Sequence, residues 1–234
     1  MSAIPYCGPA PDPGALLTAW NLDPPLLAVL ATAAWLLRAE PVRVKVGLGL
    51  AALAYVSPLC ALSAGLFSAR SAHHLLVVFG ATPLLAGALR TGRVSLPAAF
   101  LLHLAVFWLW YLPSLYQTAL SSDLAYWFGQ AALLGSSMLF WSAVFRRDAF
   151  GPTVLFALVA MMMQMALLGA ILTFARFALY VPHYLTTQQY GLSPLEDQQL
   201  AGLIMWIGSL PLTLAAGWPV LTRLLGHFQR EARA

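Results

Sequence analysis

Histidine and methionine are the side chains here whose lone pairs could hold a metal. The histidines stand at 73, 74, 103, 183 and 227. His73 and His74 are adjacent, so on a helix they point about 100° apart and at most one faces a single small centre without a third contributor. The alternative for each is a hydrogen bond at the headgroup boundary. His103 lies inside an apolar run, where either an interhelical hydrogen bond or metal ligation suits an imidazole. His227 sits in a basic tail and reads as surface. Met161, Met162, Met163 and Met165 cluster in one apolar segment, with Met205 in another. Thioether sulfur is soft and suits cuprous copper, and histidine with methionine is a copper-handling mixture. Methionine is equally a flexible packing residue, and consecutive ones diverge around a helix.

The elements that must position these groups follow from composition. Of 234 residues, 61% are hydrophobic and 9% charged, and the mean hydropathy is +0.78. Ordinary globular chains carry roughly 25% charged residues, so most of this surface cannot face water. A cytosolic enzyme, a nucleic-acid binder and a disordered chain are excluded, and the chain reads as an all-α polytopic membrane protein. No HExxH, GxSxG or glycine-rich phosphate loop is present, and intramembrane acids are too few for a proton path, so no enzyme is expected. The two cysteines, Cys7 and Cys60, are too few for a disulfide framework and imply no redox chemistry. No Lys or Arg precedes the first apolar stretch, unlike a cleavable signal peptide, so the chain is expected to be retained whole.

Apolar runs of roughly 20 residues suffice to cross a bilayer, and the pattern predicts a seven-helix bundle forming a single domain over 1–234. The segments are about 22–37, 46–67, 72–89, 96–111, 125–145, 150–174 and 199–221. Gly47, Gly49 and Gly65 are read as permitting close helix approach, Pro58 as a kink, and Pro211 or Pro219 as a break. Seven crossings place Arg38, Arg43, Lys45, Arg90, Arg93, Arg146, Arg147, Arg223, Arg230 and Arg233 on one face, and Arg70 and Arg176 on the other. Basic residues are retained in the cytoplasm, so the N-terminus is expected outside and the C-terminus inside. The long 176–198 connection then caps the outer face as a lid. Arg70, Tyr111, Tyr126, Gln130, Arg176, Asp197 and Gln198 collect at that face, with Arg70 and Arg176 expected to pair with Asp197 or Glu196, or to meet lipid phosphate.

Five stretches in order along the chain carry a family resemblance. They are Trp20–Pro24 (WNLDP), Phe67–Gly87 (FSARSAHHLLVVFGATPLLAG), Trp110–Leu120 (WYLPSLYQTAL), Phe140–Trp141 and Pro194–Trp206 (PLEDQQLAGLIMW). The chain resembles the multi-span CtaG family of cytochrome c oxidase assembly factors. The resemblance implies a multi-pass protein of the bacterial cytoplasmic (inner) membrane whose partners are cytochrome c oxidase subunits and membrane lipids, with no nucleic acid. It also implies copper as the group handled at the outer face. Among this chain's own residues, His74, His73 and His183, with Met165 and Met205, are the side chains expected to form a transient copper site there. Family members place histidine where this chain has Arg70, Tyr111, Tyr126 and Gln130, whereas His74, Asp197 and Gln198 match. A guanidinium has no lone pair to offer, and neutral tyrosine and glutamine are poor copper ligands. The alternative implied is therefore a non-metal accessory or structural subunit of a respiratory oxidase complex.

Overall fold

Proline and polar caps determine where the helices begin. The computed structural model describes residues 5–88, 94–146, 148–149 and 151–231. The positions of Arg90, Arg93, Arg147 and Arg233, the side chains of His227 and Arg230, and the segment ends at 89 and 150 lie outside the described residues. α1 (Pro24–Leu36) starts with Pro24 in its first turn, where no intrahelical amide is needed, and the Asp23 carboxylate accepts from the Leu26 amide at 3.1 Å. α2 (Val42–Val56) meets Pro58 and bends by 47° into α3 (Pro58–Gly65). Leu66 is extended, and the chain reverses into α4, a continuous helical stretch over Phe67–Ala88.

α4 widens into a π-helical turn at Leu76–Ala81. Such a turn leaves carbonyls open, and the Val78 carbonyl accepts both the Thr82 hydroxyl and the Trp141 indole N–H, each at 2.8 Å. α5 (Leu96–Trp110) turns by 74° at Pro113 into α6 (Pro113–Ser121). α7 (Asp123–Val144), α8 (Gly151–Thr173) and α9 (Pro194–Glu231) complete the order.

The described residues form an all-α bundle with three helices long and apolar enough to cross a membrane, α4, α8 and α9, or five when each bent pair counts as one span. α1 is a shorter apolar helix of 13 residues. α7 has 22 residues but is not in the apolar class of the other spans. The chain is thus a multi-pass membrane protein by the length and composition of its helices.

Three expectations are corrected. α9 runs unbroken through Pro211 and Pro219. A bilayer offers the backbone groups of a broken helix no other partner, so the helix continues past both prolines. Gly49 has open space where a Cβ would stand, so it mediates no approach; Gly47 lets α2 approach α4 at Ala81 and Leu84, and Gly65 faces Ala10 and Tyr190 of the connecting segments rather than a spanning helix. Cys7 and Cys60 are joined in a disulfide that ties the N-terminal segment to α3. A pair 53 residues apart leaves no spacing motif to read.

α8 and α9 pack backbone to backbone at Gly169 and Gly202. A Cβ on Gly202 would lie 2.5 Å from the Gly169 carbonyl oxygen and 2.7 Å from the Thr173 amide. Gly202→Val therefore has no small shift available to it. We expect a loss of about 1–3 kcal/mol, typical of overpacking, measured as a lower thermal midpoint in detergent, with Gly49→Val unaffected.

Candidate functional site

The turn between α3 and α4 exposes the first amides of α4, which have no partner within the helix. Asp197, in the first turn of α9, fills that gap. Its carboxylate accepts from the Phe67 amide at 2.7 Å and the Ser68 amide at 3.1 Å, and also from the Ser68 hydroxyl. A fully buried carboxylate at the positive end of a helix dipole is a strong, charge-assisted cap. Glu196, beside it, is exposed and serves its own helix instead, accepting from the Ser193 amide at 2.8 Å while its own amide donates to the Ser193 hydroxyl at 3.3 Å. This is a capping box.

On the other side of the turn, the Gly65 carbonyl accepts from the Thr186 hydroxyl at 2.6 Å and from His183 Nδ1 at 3.3 Å. A carbonyl only accepts, so Nδ1 carries the proton. His183 Nε2 lies 2.7 Å from the Tyr116 hydroxyl. Burial pushes the His183 imidazole down to about 4; the Gly65 carbonyl opposes this and the charge of Arg70 reinforces it. The ring is neutral near pH 7, so Tyr116 donates to it. Both ring nitrogens are thus used within the protein.

Of the 176–198 segment expected as a lid, residues 194–198 belong to α9, and the connection from 174 to 193 is the part that packs over this turn as a lid. The Tyr180 ring stacks on Phe67 at 3.9 Å, and its hydroxyl donates to the Tyr111 carbonyl at 2.8 Å. Gln198 holds the start of the lid, accepting from the Leu179 amide at 2.6 Å and donating to the Phe177 carbonyl at 3.3 Å. The Tyr190 hydroxyl crosses to the Pro11 carbonyl at 2.5 Å. The lid and the disulfide-tied N-terminal segment therefore close over the same turn.

Beneath the turn lies Arg70, 1% exposed. Its guanidinium carbon is 5.5 Å from the Tyr126 ring centre and 6.0 Å from that of Tyr116. Nε and Nη1 have no hydrogen-bond partner among the described residues. Tyr116 senses both Arg70 and Asp197 electrostatically. The cluster therefore holds one positive and one negative charge, without direct ion pairing among the described residues. The expected pairing of Arg70 or Arg176 with Asp197 or Glu196 is not formed: the salt bridge among the described residues is Arg146–Asp148 at 3.3 Å. Asp197 is already filled by α4 amides, and Arg176 is exposed at the start of the lid.

Sequence reasoning brings Arg70, Tyr126, Gln130, His73, His183, Asp197 and Gln198 to this end of the bundle, and the structure joins them through bridging residues. Gln130 accepts from the Tyr55 hydroxyl at 2.7 Å, and Tyr55 meets His73 edge-on at 5.1 Å. The Tyr126 hydroxyl donates to the disulfide sulfur of Cys7 at 3.5 Å. His74 points elsewhere. Its ring contacts Tyr111 at 5.3 Å and Phe107 at 5.6 Å, and it interacts electrostatically with His103 and His73. Met165 and Met205 are fully buried members of the main apolar core, with Met161 beside them; Met163 faces outward. The residues sequence reasoning missed are Tyr55, Ser68 and Cys7. Only Cys7 carried a signal, as one of two cysteines.

The donor set can be compared with what a metal would require. His73 Nε2, both nitrogens of His74 and His103 Nε2 are buried without hydrogen-bond partners among the described residues, so imidazole lone pairs are present. No group of three His, Cys, Asp or Glu side chains is gathered among the described residues. With Arg70 fixed one turn from His73 and His74, the arrangement does not fit a closed metal site of three such donors.

The family model described as "Cytochrome c oxidase caa3 assembly factor (Caa3_CtaG)" matches residues 93–226, more than half of the chain. No curated protein matches, and no solved structure matches.

Asp197→Ala would leave two α4 amides and the Ser68 hydroxyl buried without an acceptor. We expect a loss of about 3 kcal/mol, measured by thermal unfolding, while Glu196→Ala costs less than about 1 kcal/mol. His183 supplies a second expectation. Its folded pKa, near 4, lies below its ordinary 6.5. The associated stability is full above about 6.5 and is lost as pH falls through about 4, because the unfolded chain takes up the proton first. Midpoints recorded between pH 7 and 4 should fall more steeply for the wild type than for His183→Gln.

Proposed function

This chain belongs to the cytochrome c oxidase caa3 assembly factor family, and we propose from that premise that it acts in oxidase assembly as a membrane-embedded docking partner rather than through resident copper. The observation that carries this reading is the buried guanidinium of Arg70, inserted among tyrosines beside the histidines. A fixed positive charge opposes a cuprous or cupric ion nearby and contributes no lone pair. The polar groups around it serve one another: Asp197 caps α4, His183 links Gly65 to Tyr116, and Gln198 holds the lid. Such a cluster stabilises the shape of one end of the bundle, which a partner subunit then recognises.

The Cys7–Cys60 disulfide supports placing this end on the extracytoplasmic side of a bacterial cytoplasmic membrane, since disulfides persist in oxidising compartments. The excess of Arg and Lys on the opposite end supports the same orientation and a seven-span count, with α1 and α7 completing the spans. The oxidase itself is the proposed partner, and no catalytic step is assigned. One observation favours a second reading in which copper is handled: the unpartnered nitrogens of His73, His74 and His103.

Copper analysis of full-length protein produced with copper present separates the two readings. Docking predicts well below one copper per chain, unchanged in His74→Ala. About one copper per chain, lost in His74→Ala, would overturn it. Deleting the gene should lower assembled, active oxidase, and Asp197→Ala should fail to restore it.

A further inference from the structure

The opposite end of the bundle carries a different kind of feature. A groove of about 830 Å³ opens between α2, α4, α7 and α9, a volume within the range that accommodates drug-sized ligands. Its walls are mainly apolar, including Leu84, Phe79 and Ala215, with Ser142 among the lining residues, and among the described residues no Asp or Glu lines it. Three arginines border it: Arg43, Arg146 and Arg223. Arg43 lies flat against Gly87, with Nε and Nη2 3.4 Å from where a Cβ would stand. Arg146 donates to the Val94 carbonyl at 3.0 Å and pairs with Asp148, and Arg223 reaches the Arg146 carbonyl at 3.5 Å. Each guanidinium has five donors, so donors remain on all three. A second groove of about 590 Å³ between α1 and α2 repeats the pattern, with apolar walls beneath Arg38 and Lys45.

We propose that the three-arginine groove binds one anionic phospholipid of the surrounding bilayer, its phosphate held by Arg43, Arg146 and Arg223 and an acyl chain lying along the apolar wall. Two guanidiniums without a carboxylate partner among the described residues, Arg43 and Arg223, and a third shared with Asp148 leave net positive charge above apolar walls, which matches an amphiphile whose charge and hydrocarbon are joined in one molecule. A soluble anion would leave the walls unfilled, and a neutral lipid would leave the cations unpaired. Basic pockets between spanning helices are a general means of holding anionic headgroups. α4 and α9 are long and apolar enough to cross a membrane, so in a bilayer the acyl chain would reach the groove sideways without crossing water. This inference stands apart from the oxidase reading.

The test uses full-length protein in mild detergent, titrated with phosphatidylglycerol and phosphatidylcholine and read by native mass spectrometry, with glycerol phosphate and polyglutamate as competitors. Phosphatidylglycerol should bind at least tenfold more tightly than phosphatidylcholine. The double variant R43Q/R223Q, altered at two exposed positions, should lose at least tenfold of that affinity. Ala215→Trp leaves the cations in place and obstructs the wall, so it should weaken binding as well; it decides the matter should the double variant fold poorly. Equal binding of the two lipids, or unchanged binding in Ala215→Trp, would overturn the proposal. So would displacement by glycerol phosphate, which marks a phosphate site alone, or by polyglutamate, which marks an acidic protein segment.

Discussion

The carboxylate of Asp197 on the first amides of α4 is the contact on which one whole end of this molecule rests. α4 begins at a sharp reversal, inside the protein, where water cannot satisfy its free N–H groups. By accepting from Phe67 and Ser68, Asp197 joins the start of α9 to the start of α4 and so sets the register of both. Arg70 follows within the same turn. Gly65, immediately before it, presents the carbonyl that His183 and Thr186 use to hold the lid.

The two ends of the bundle handle charge in opposite ways. At the α3–α4 end, Arg70 and Asp197 are enclosed without pairing to each other, with aromatic faces supplying part of what water would give the guanidinium. Burial of charge on these terms favours one arrangement over others more than it adds stability. At the other end, arginines line open apolar grooves and keep donors available. A closed end suits recognition of shape by a protein partner. The open end suits capture of amphiphiles from the bilayer.

Much of the fold was legible because helices in a bilayer must satisfy their own backbone, so apolar runs and proline positions translate almost directly into elements. Pro58 and Pro113 mark bends of 47° and 74°. Pro211 and Pro219 look the same in sequence yet leave α9 unbroken, because a break within a bilayer would expose further backbone groups with no partner. The polar residues of the site were legible as a group, since each is costly in hydrocarbon unless partnered. Their pairing was not. Asp197 faces two arginines by charge but bonds to amides 129 and 130 residues away, and backbone donors leave no trace in residue identity. The Cys7–Cys60 link was hidden for a related reason: it depends on an N-terminal segment folding back over α3.

Hydrogen exchange of the segment from Gly65 to Ser71, compared between wild type and Asp197→Asn, addresses the Asp197 cap most directly. Asparagine keeps the volume but offers one neutral acceptor in place of two charged ones. The account predicts slow exchange at Phe67 and Ser68 in the wild type and at least tenfold faster exchange in the variant, with the 174–193 lid loosening in parallel. Rapid exchange in the wild type, or equal rates in both proteins, would contradict it.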